Sequence, residues 1–357
     1  MFINHAFGRS NAICIPKSLR CNRGIMKMKY DITAIGNALV DTQFKVSHEF
    51  IKEVGLEIDQ MNLSSAEEHA PIIDKLKKEN AESVSDCGGS ATNTLVAATH
   101  FGAKCFHTCV VADDDDGHSY LANLRNIGVN HNFKMRDADE VPTGKCLILV
   151  TADAKRTMST ALNVSALMRM DDVDFVAMLD TDILYVEGYM VTSDENYSVT
   201  LELLKRASKK NVKIALSLSD PGIVMGFRDR FTELESFGVD YVFCNDEEAM
   251  AFTSTETIDL ALNDLTKKDF ICIVTTGSKG CSIVNKDELL QVEAESINAV
   301  DTNGAGDMFA GCFLYALSQG NSLNECGKFA NYGASKIVET FGPRLTEFGY
   351  HEVLKKL

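Results

Sequence analysis

The sequence predicts an α/β fold: a doubly wound, mostly parallel sheet with helices on both faces, carrying a small β-sheet lid. From Tyr30 onward, short β-rich runs alternate with longer stretches of helical periodicity, which is the pattern of βαβ units joined by right-handed crossovers. Two stretches, GNALVDTQFKV from Gly36 and GKCLILVTADAKRTMSTAL from Gly144, break that alternation as longer, partly polar strands suited to covering a cleft with one face. No Pro-rich or Gly/Ser-rich linker divides the chain, so residues 30–357 are read as one domain, with the lid drawn from about 37–63 and 141–165.

In chain order, the expected strands are YDITAIG, KCFHTCVVA, TDILYVEGY, VKIALSLS, DYVFCN and FICIVTTG. Helical spacing fills HSYLANLRNIG, NYSVTLELLKRASKK and DEEAMAF between them. Between the lid stretches, SAEEHAPIIDKLKKEN opens with a capping-box pattern at Ser65 and Glu68 and gathers basic residues near its end, as a helix does. The last of the glycine-rich stretches, DTNGAGDMFAG from Asp301, introduces a buried helix over MFAGCFLYAL. Residues 1–29 hold six of the 35 basic residues and none of the 51 acidic ones. They are expected to be an N-terminal extension, disordered or arising from an upstream start.

Composition narrows the function. A formal net charge of -16 disfavours nonspecific attraction to nucleic acid or anionic lipid, so an anionic ligand needs a local pocket. No apolar run is long enough to cross a bilayer. The eleven cysteines are odd in number and scattered through apolar segments, which indicates buried free thiols and a reducing cytoplasm. Cys105 and Cys109 bracket His107, but a zinc site would need further ligands at matching spacing.

Five loops carry groups suited to chemistry. Asn37 and Asp41 follow the first strand and could hold vicinal hydroxyls, or could form only a turn and an edge strand. Gly88 and Gly89 let a ligand approach the backbone, with Asn93 as a directed donor and acceptor. Asn245 and Glu248 offer oxygen ligands to Mg²⁺, directly or through its waters, although acidic residues also begin helices for dipole reasons. Thr275, Gly277 and Gly280 form a small-residue loop able to lie along a nucleotide. In DTNGAGD, glycines at a helix start suit an anion, and Asp307 could act as cap or base. Other motifs fail: DDDDG at 113–117 lacks a calcium loop's first and twelfth ligands, and no P-loop, dinucleotide fingerprint or nucleophile elbow is present.

Taken together, these stretches resemble the PfkB (ribokinase-like) carbohydrate kinase family, with DTNGAGD the strongest match and GGSATN its companion. The resemblance covers roughly Tyr30 to Arg344 and is strongest to the adenosine kinase branch, through GNALVD, GGSATNT, YVEGYMVTS, DYVFCNDEEA and the helical insertion between Asp41 and Gly88. It implies an ATP- and Mg²⁺-dependent kinase acting on the primary, 5′-type hydroxyl of a ribonucleoside, adenosine first. The rivals are a kinase of a free sugar such as ribose, fructose or keto-deoxygluconate, and a catalytically silent binding protein. By the same resemblance Asp307 is the base, and the backbone N–H groups of Asn303, Gly304, Ala305 and Gly306 form the anion hole. Asn37, Asp41, Gly88, Gly89 and Asn93 hold the sugar, and Arg156 reaches the phosphates from the lid. Asn245 and Glu248 serve Mg²⁺, Thr275, Gly277 and Gly280 line the nucleotide, and K⁺ sits near Asp301. The assembly expected is a monomer or a lid-mediated homodimer. The sequence departs from the family at Ala112, where a glycine is usual, and no single residue identifies an adenine-stacking partner.

Overall fold

The structure is a computed structural model that describes residues 30–357 apart from positions 82, 154 and 287. The expected extension, residues 1–29, lies outside them. The main sheet begins with β1 (Tyr30–Ile35) at its centre. The chain runs outward first to β5 (Cys105–Thr108) and β6 (Asn130–His131). It then returns to the other side of β1 with β9 (Thr181–Val186), β10 (Lys213–Ser217), β11 (Tyr241–Asn245) and β12 (Ile271–Thr275). All these neighbours pair in parallel. An antiparallel hairpin, β13 (Cys281–Asn285) and β14 (Glu288–Val292), finishes the edge. It follows FICIVTTG, where the βαβ alternation predicts no further strand.

Helices cover both faces. On one lie α3 (Ser90–His100), α4 (Asp115–Ile127), α11 (Ala305–Ser318), α12 (Leu323–Val338) and α13 (Glu347–Leu354), sharing a core that includes Leu95, Tyr120, Phe313 and Phe329. On the other lie α5 (Phe175–Met178), α6 (Asp194–Lys209), α7 (Pro221–Gly226), α8 (Arg228–Glu235), α9 (Asp246–Thr253) and α10 (Ile258–Leu265), around Leu203, Phe231 and Leu265. Direction reverses between β1 and β9, so the carboxyl ends of these two strands flank the crevice where open α/β sheets bind ligands. Asp114 caps α4 by accepting from Gly117 N (2.7 Å) and also takes the Thr143 hydroxyl (2.6 Å), so DDDDG is a helix cap.

The second sheet comprises β2 (Leu39–Lys45), β3 (Met61–Leu63), β4 (Ser83–Gly88), β7 (Gly144–Val150) and β8 (Arg156–Ala161), in the spatial order β3-β8-β7-β2-β4. Four of its strands fall in the expected lid ranges. The fifth, β4, leads into the glycine-rich loop and pairs antiparallel with β2. Alternation gives the sheet two distinct faces. Phe44, Leu147 and Leu149 pack under α1 (His48–Glu53) and α2 (Ala66–Lys78), where Phe50, Ile51, Ile72 and Leu76 meet them. Helix α2 begins with the expected capping box at Ser65 and Glu68. Cys146, Ile148 and Val150 point the other way, with Leu39, Met158 and Phe341. Because Phe341 follows α12 of the main domain, this second face is turned toward the crevice.

Leu149 is fully buried beneath the lid helices. Leu149→Ala should lower stability by about 2–5 kcal/mol, the usual range for such a truncation, read from urea unfolding against the parent protein.

Candidate active site

Two helix starts meet in the crevice because α3 and α11 cross closely. A Cβ on Gly311 would lie 2.6 Å from the Thr94 carbonyl oxygen and 2.8 Å from Ala97 Cβ, so only glycine permits this approach. The crossing brings the first turn of α3 onto Asp307, in the first turn of α11. Ser90 Oγ donates to Asp307 Oδ1 (2.7 Å), and Asn93 Nδ2 donates to Asp307 Oδ2 (3.0 Å). Burial raises the Asp307 pKa above its ordinary value, opposed by these two hydrogen bonds and by Arg156 and Arg344. A carboxylate held this way is oriented and a better base than one in water.

The loop before α11 is shaped for an anion. Gly304 adopts φ +73°, and a Cβ there would lie 2.6 Å from the Pro343 carbonyl oxygen, whereas nothing stands within 4 Å of a Cβ on Gly306. The N–H of Asn303 donates to Asp301 Oδ1 (2.9 Å) and that of Ala305 to the Thr302 carbonyl (3.3 Å). Among the described residues, no protein acceptor takes the N–H of Gly304 or Gly306. Of the four groups expected to line the hole, these two are therefore the ones left for a ligand. Asp301 also accepts from Gly342 N (2.9 Å), so its carboxylate ties the loop to the segment after α12. From the lid, Arg156 Nη1 donates to Asn303 Oδ1 (3.1 Å), placing a cation beside the same loop.

The expected sugar-binding residues divide into two sets. Asp41 is buried on the crevice-facing side of β2, and no hydrogen bond reaches its carboxyl among the described residues. A Cβ on Gly88 would fall 2.0 Å from Asp41 Cγ, and one on Gly89, at φ +98°, 2.2 Å from the Asn37 carbonyl oxygen. Burial pushes the Asp41 pKa up to about 8, with Asp307, Asp86 and Glu187 adding to the rise and Arg344 opposing it. Asn37 is fully engaged: its amide donates to Glu187 Oε1 (3.0 Å), and its oxygen accepts from Asn196 Nδ2 (3.1 Å). Glu187, at the end of β9, also accepts from Ala91 N (2.9 Å). It thus joins the first loop to α3 across the switch point, and burial pushes its pKa up to about 7. Sequence reasoning assigns no role to Glu187, Asn196, Ser90 or Arg344, because their partners lie far along the chain.

At the far end of the crevice, Asn245 and Glu248 form a capping box for α9. Glu248 is pushed up to about 8 by burial and then by the nearby charges of Asp220, Glu247 and Asp246. A cation near Glu248 would offset that burial and repulsion, and with Asn245 N and Nδ2 already donating to the carboxyl (3.1 and 2.9 Å) an ion would be held through its waters. Gly277 and Gly280 have φ +57° and +96°; the space around Gly277 is open, while a Cβ on Gly280 would lie 2.1 Å from the Val292 carbonyl oxygen. Thr275 ends β12 beside Asn245, its register partner on β11. His107 and its flanking cysteines are buried, and no metal-binding group of three or more His, Cys, Asp or Glu occurs among the described residues.

A family model described as pfkB family carbohydrate kinase matches residues 58–347. The chain belongs to this family. It is therefore a phosphotransferase with an alcohol acceptor, a small-molecule substrate and, by family, ATP as phosphoryl donor with Mg²⁺. A probable sugar kinase from Rhizobium etli shares its fold at TM-score 0.85 and 31% identity, covering 92% of this chain and 99% of that one. The adenosine kinase of Sinorhizobium meliloti superposes at TM-score 0.84 with 32% identity over 91% of this chain and 99% of that one. An adenosine kinase of Schizophyllum commune is 26% identical, covering 88% of this chain and 96% of its own length. Within the family, the chain lies on the adenosine kinase-like branch. No helix among the described residues is long and apolar enough to cross a membrane.

The raised carboxyls predict a pH effect on stability. Unfolded Asp41 ionises near its ordinary value of 3.8, whereas the folded group holds its proton up to about 8. Its contribution is fully present below the first value and is lost as pH rises through the second. The fall in urea midpoint between pH 5 and pH 8.5 should accordingly be smaller in Asp41→Asn than in the parent protein.

Proposed function

We propose that this kinase transfers the γ-phosphoryl group of ATP to the 5′ hydroxyl of a ribonucleoside, adenosine foremost. The observation that carries the reading is the apolar crevice face of the lid, where Leu39, Met158 and Phe341 remain partly exposed over the buried Cys146, Ile148 and Val150. Asp41 shares this face, opposite Cys146 in register, with Gly88 against its carboxyl. An acceptor with an apolar ring and a hydroxyl-bearing ring matches such a division, since the base removes apolar surface from water while the Asp41 carboxyl grips the diol. The similarity to an adenosine kinase that is 32% identical supports the same reading, and the similarity to a probable sugar kinase supports the alternative of a free-sugar acceptor.

In this mechanism Asp307 takes the proton of the primary hydroxyl as that oxygen attacks the γ-phosphorus. The N–H groups of Gly304 and Gly306, with the α11 dipole and Arg156, stabilise the charge on the transferring group. Asn245 and Glu248 would hold Mg²⁺ through its waters, where the ion would offset charge on the phosphates. Thr275, Gly277 and Gly280 line the nucleotide, and the loop pair joined by Asp301 is where K⁺ is expected. Asn37 supports the sugar site from beneath, through Glu187. The lid face opposite the crevice is covered by α1 and α2, which favours a monomer over pairing through that face. The buried thiols favour a reducing cytoplasm, and the acceptor assigns the enzyme to purine salvage.

ADP release with Mg-ATP across adenosine, inosine, guanosine, ribose, fructose and keto-deoxygluconate tests the proposal. Adenosine-dependent release that falls about 10²–10⁴-fold in Asp307→Asn is expected, the loss typical of an oriented base. Release only with a free sugar would overturn the acceptor, and full turnover in Asp307→Asn would overturn the base.

A further inference from the structure

The four residues FGPR at 341–344, after α12, lie outside every signature read from the sequence, yet each touches a different part of the site. Phe341 joins the apolar lid face. Gly342 N donates to Asp301, and the Pro343 carbonyl closes on Gly304. Arg344, whose side chain is 8% exposed, donates from Nε to Asn93 Oδ1 (3.0 Å) and from Nη1 to Asn123 Oδ1 (2.8 Å), and stands 3.5 Å from Asp86. Among the described residues, its Nη2 is buried without a hydrogen-bond partner.

The contact with Asn93 has a directional consequence. A guanidinium only donates, so the Asn93 atom facing it must be the oxygen, and the NH₂ is then left for Asp307. Turned over, the amide would point its oxygen at the carboxylate and its NH₂ at a cation, two repulsive contacts in place of two attractive ones. We propose that Arg344 is a positioning residue for phosphoryl transfer: by holding the oxygen of Asn93 it fixes the Asn93 NH₂ on Asp307 and keeps that carboxylate aimed into the crevice. This rests on Asp307 being the base. The ion pair with Asp86 would alone give Arg344 a structural role, tying β4 to the end of α12, and the test must separate the two.

The ionisable groups whose charges act on Asp307, or feel its charge, are the carboxyls of Asp41 and Glu187, the phenols of Tyr185 and Tyr189, and the guanidiniums of Arg156 and Arg344. Removing Arg344 takes away one of two cations, so proton loss from Asp307 becomes harder and the acid limb of kcat moves to higher pH. Arg344→Lys keeps the charge but not the planar fork, and should leave the limb near its original place while kcat remains below the parent value.

The decisive experiment is a double-mutant cycle in the full chain with Arg344→Ala, Asn93→Ala and the combined variant, using Mg-ATP and whichever panel acceptor supports turnover. Arg344→Ala should lower kcat about 10-fold or more with KM for Mg-ATP within about twofold, and should lose most of that effect in the Asn93→Ala background. If the two effects multiply, or if the acid limb of Arg344→Ala does not move, the proposal is overturned. Should Arg344→Ala fail to fold, Arg344→Gln replaces it in the same cycle with the same criteria. Failure of the base reading is separately visible as full turnover in Asp307→Asn.

Discussion

The site depends on one close crossing. Without the missing side chain at Gly311, α11 could not lie against the Thr94 carbonyl and Ala97, and the first turn of α3 would not reach Asp307. Everything else aligns to that contact. Glu187 anchors α3 to the first loop from the end of β9, and Asp301 anchors the loop before α11 to the segment after α12. Two helix N-termini then converge at the switch point of the sheet, which is where open α/β folds collect their ligands. The glycines of DTNGAGD serve two purposes. Gly304 is required by its left-handed backbone and by Pro343, whereas Gly306 keeps open the space before the helix.

Charge shapes the same region in a second way. With a net charge of -16, the protein concentrates positive potential locally, at backbone N–H groups without acceptors among the described residues, at helix N-termini and at the guanidiniums of Arg156 and Arg344. Around them stand carboxyls that burial pushes toward their neutral forms, Asp41 and Glu248 to about 8 and Glu187 to about 7. The N–H groups of Asn37 and Ala91 offset part of that cost at Glu187, and Arg344 offsets part of it at Asp41.

Much of this is legible in the sequence because it is written in local signals. The capping box at Ser65 and Glu68, the Asp114 cap, and the glycines at strand-to-helix turns each depend on a few neighbouring residues. What the sequence hides depends on distant ones. Glu187 bonds Asn37 and Ala91, and Arg344 bonds Asn93 and Asn123, pairs that no periodicity connects. Strand β4 reads as part of the glycine-rich loop, because the serines, aspartate and glycine of SVSDCG carry little strand preference. It is a strand because it closes the lid sheet against β2, with Arg344 beside the carboxyls of Asp86 and Asp41. The hairpin β13–β14 escapes a reading built on βαβ alternation, which leaves no place for an antiparallel edge.

The central claim is that the crossing of α3 on α11 buries Asp307 and makes its carboxyl a stronger base. Its most direct measurement is a ¹³C-carboxyl titration of Asp307 in the unliganded protein, assigned by the resonance that disappears in Asp307→Asn. The account predicts a midpoint above the ordinary aspartate value of 3.8. A midpoint at or below that value would contradict it, because the hydrogen bonds and guanidiniums would then outweigh burial and Asp307 would be held as a weak base.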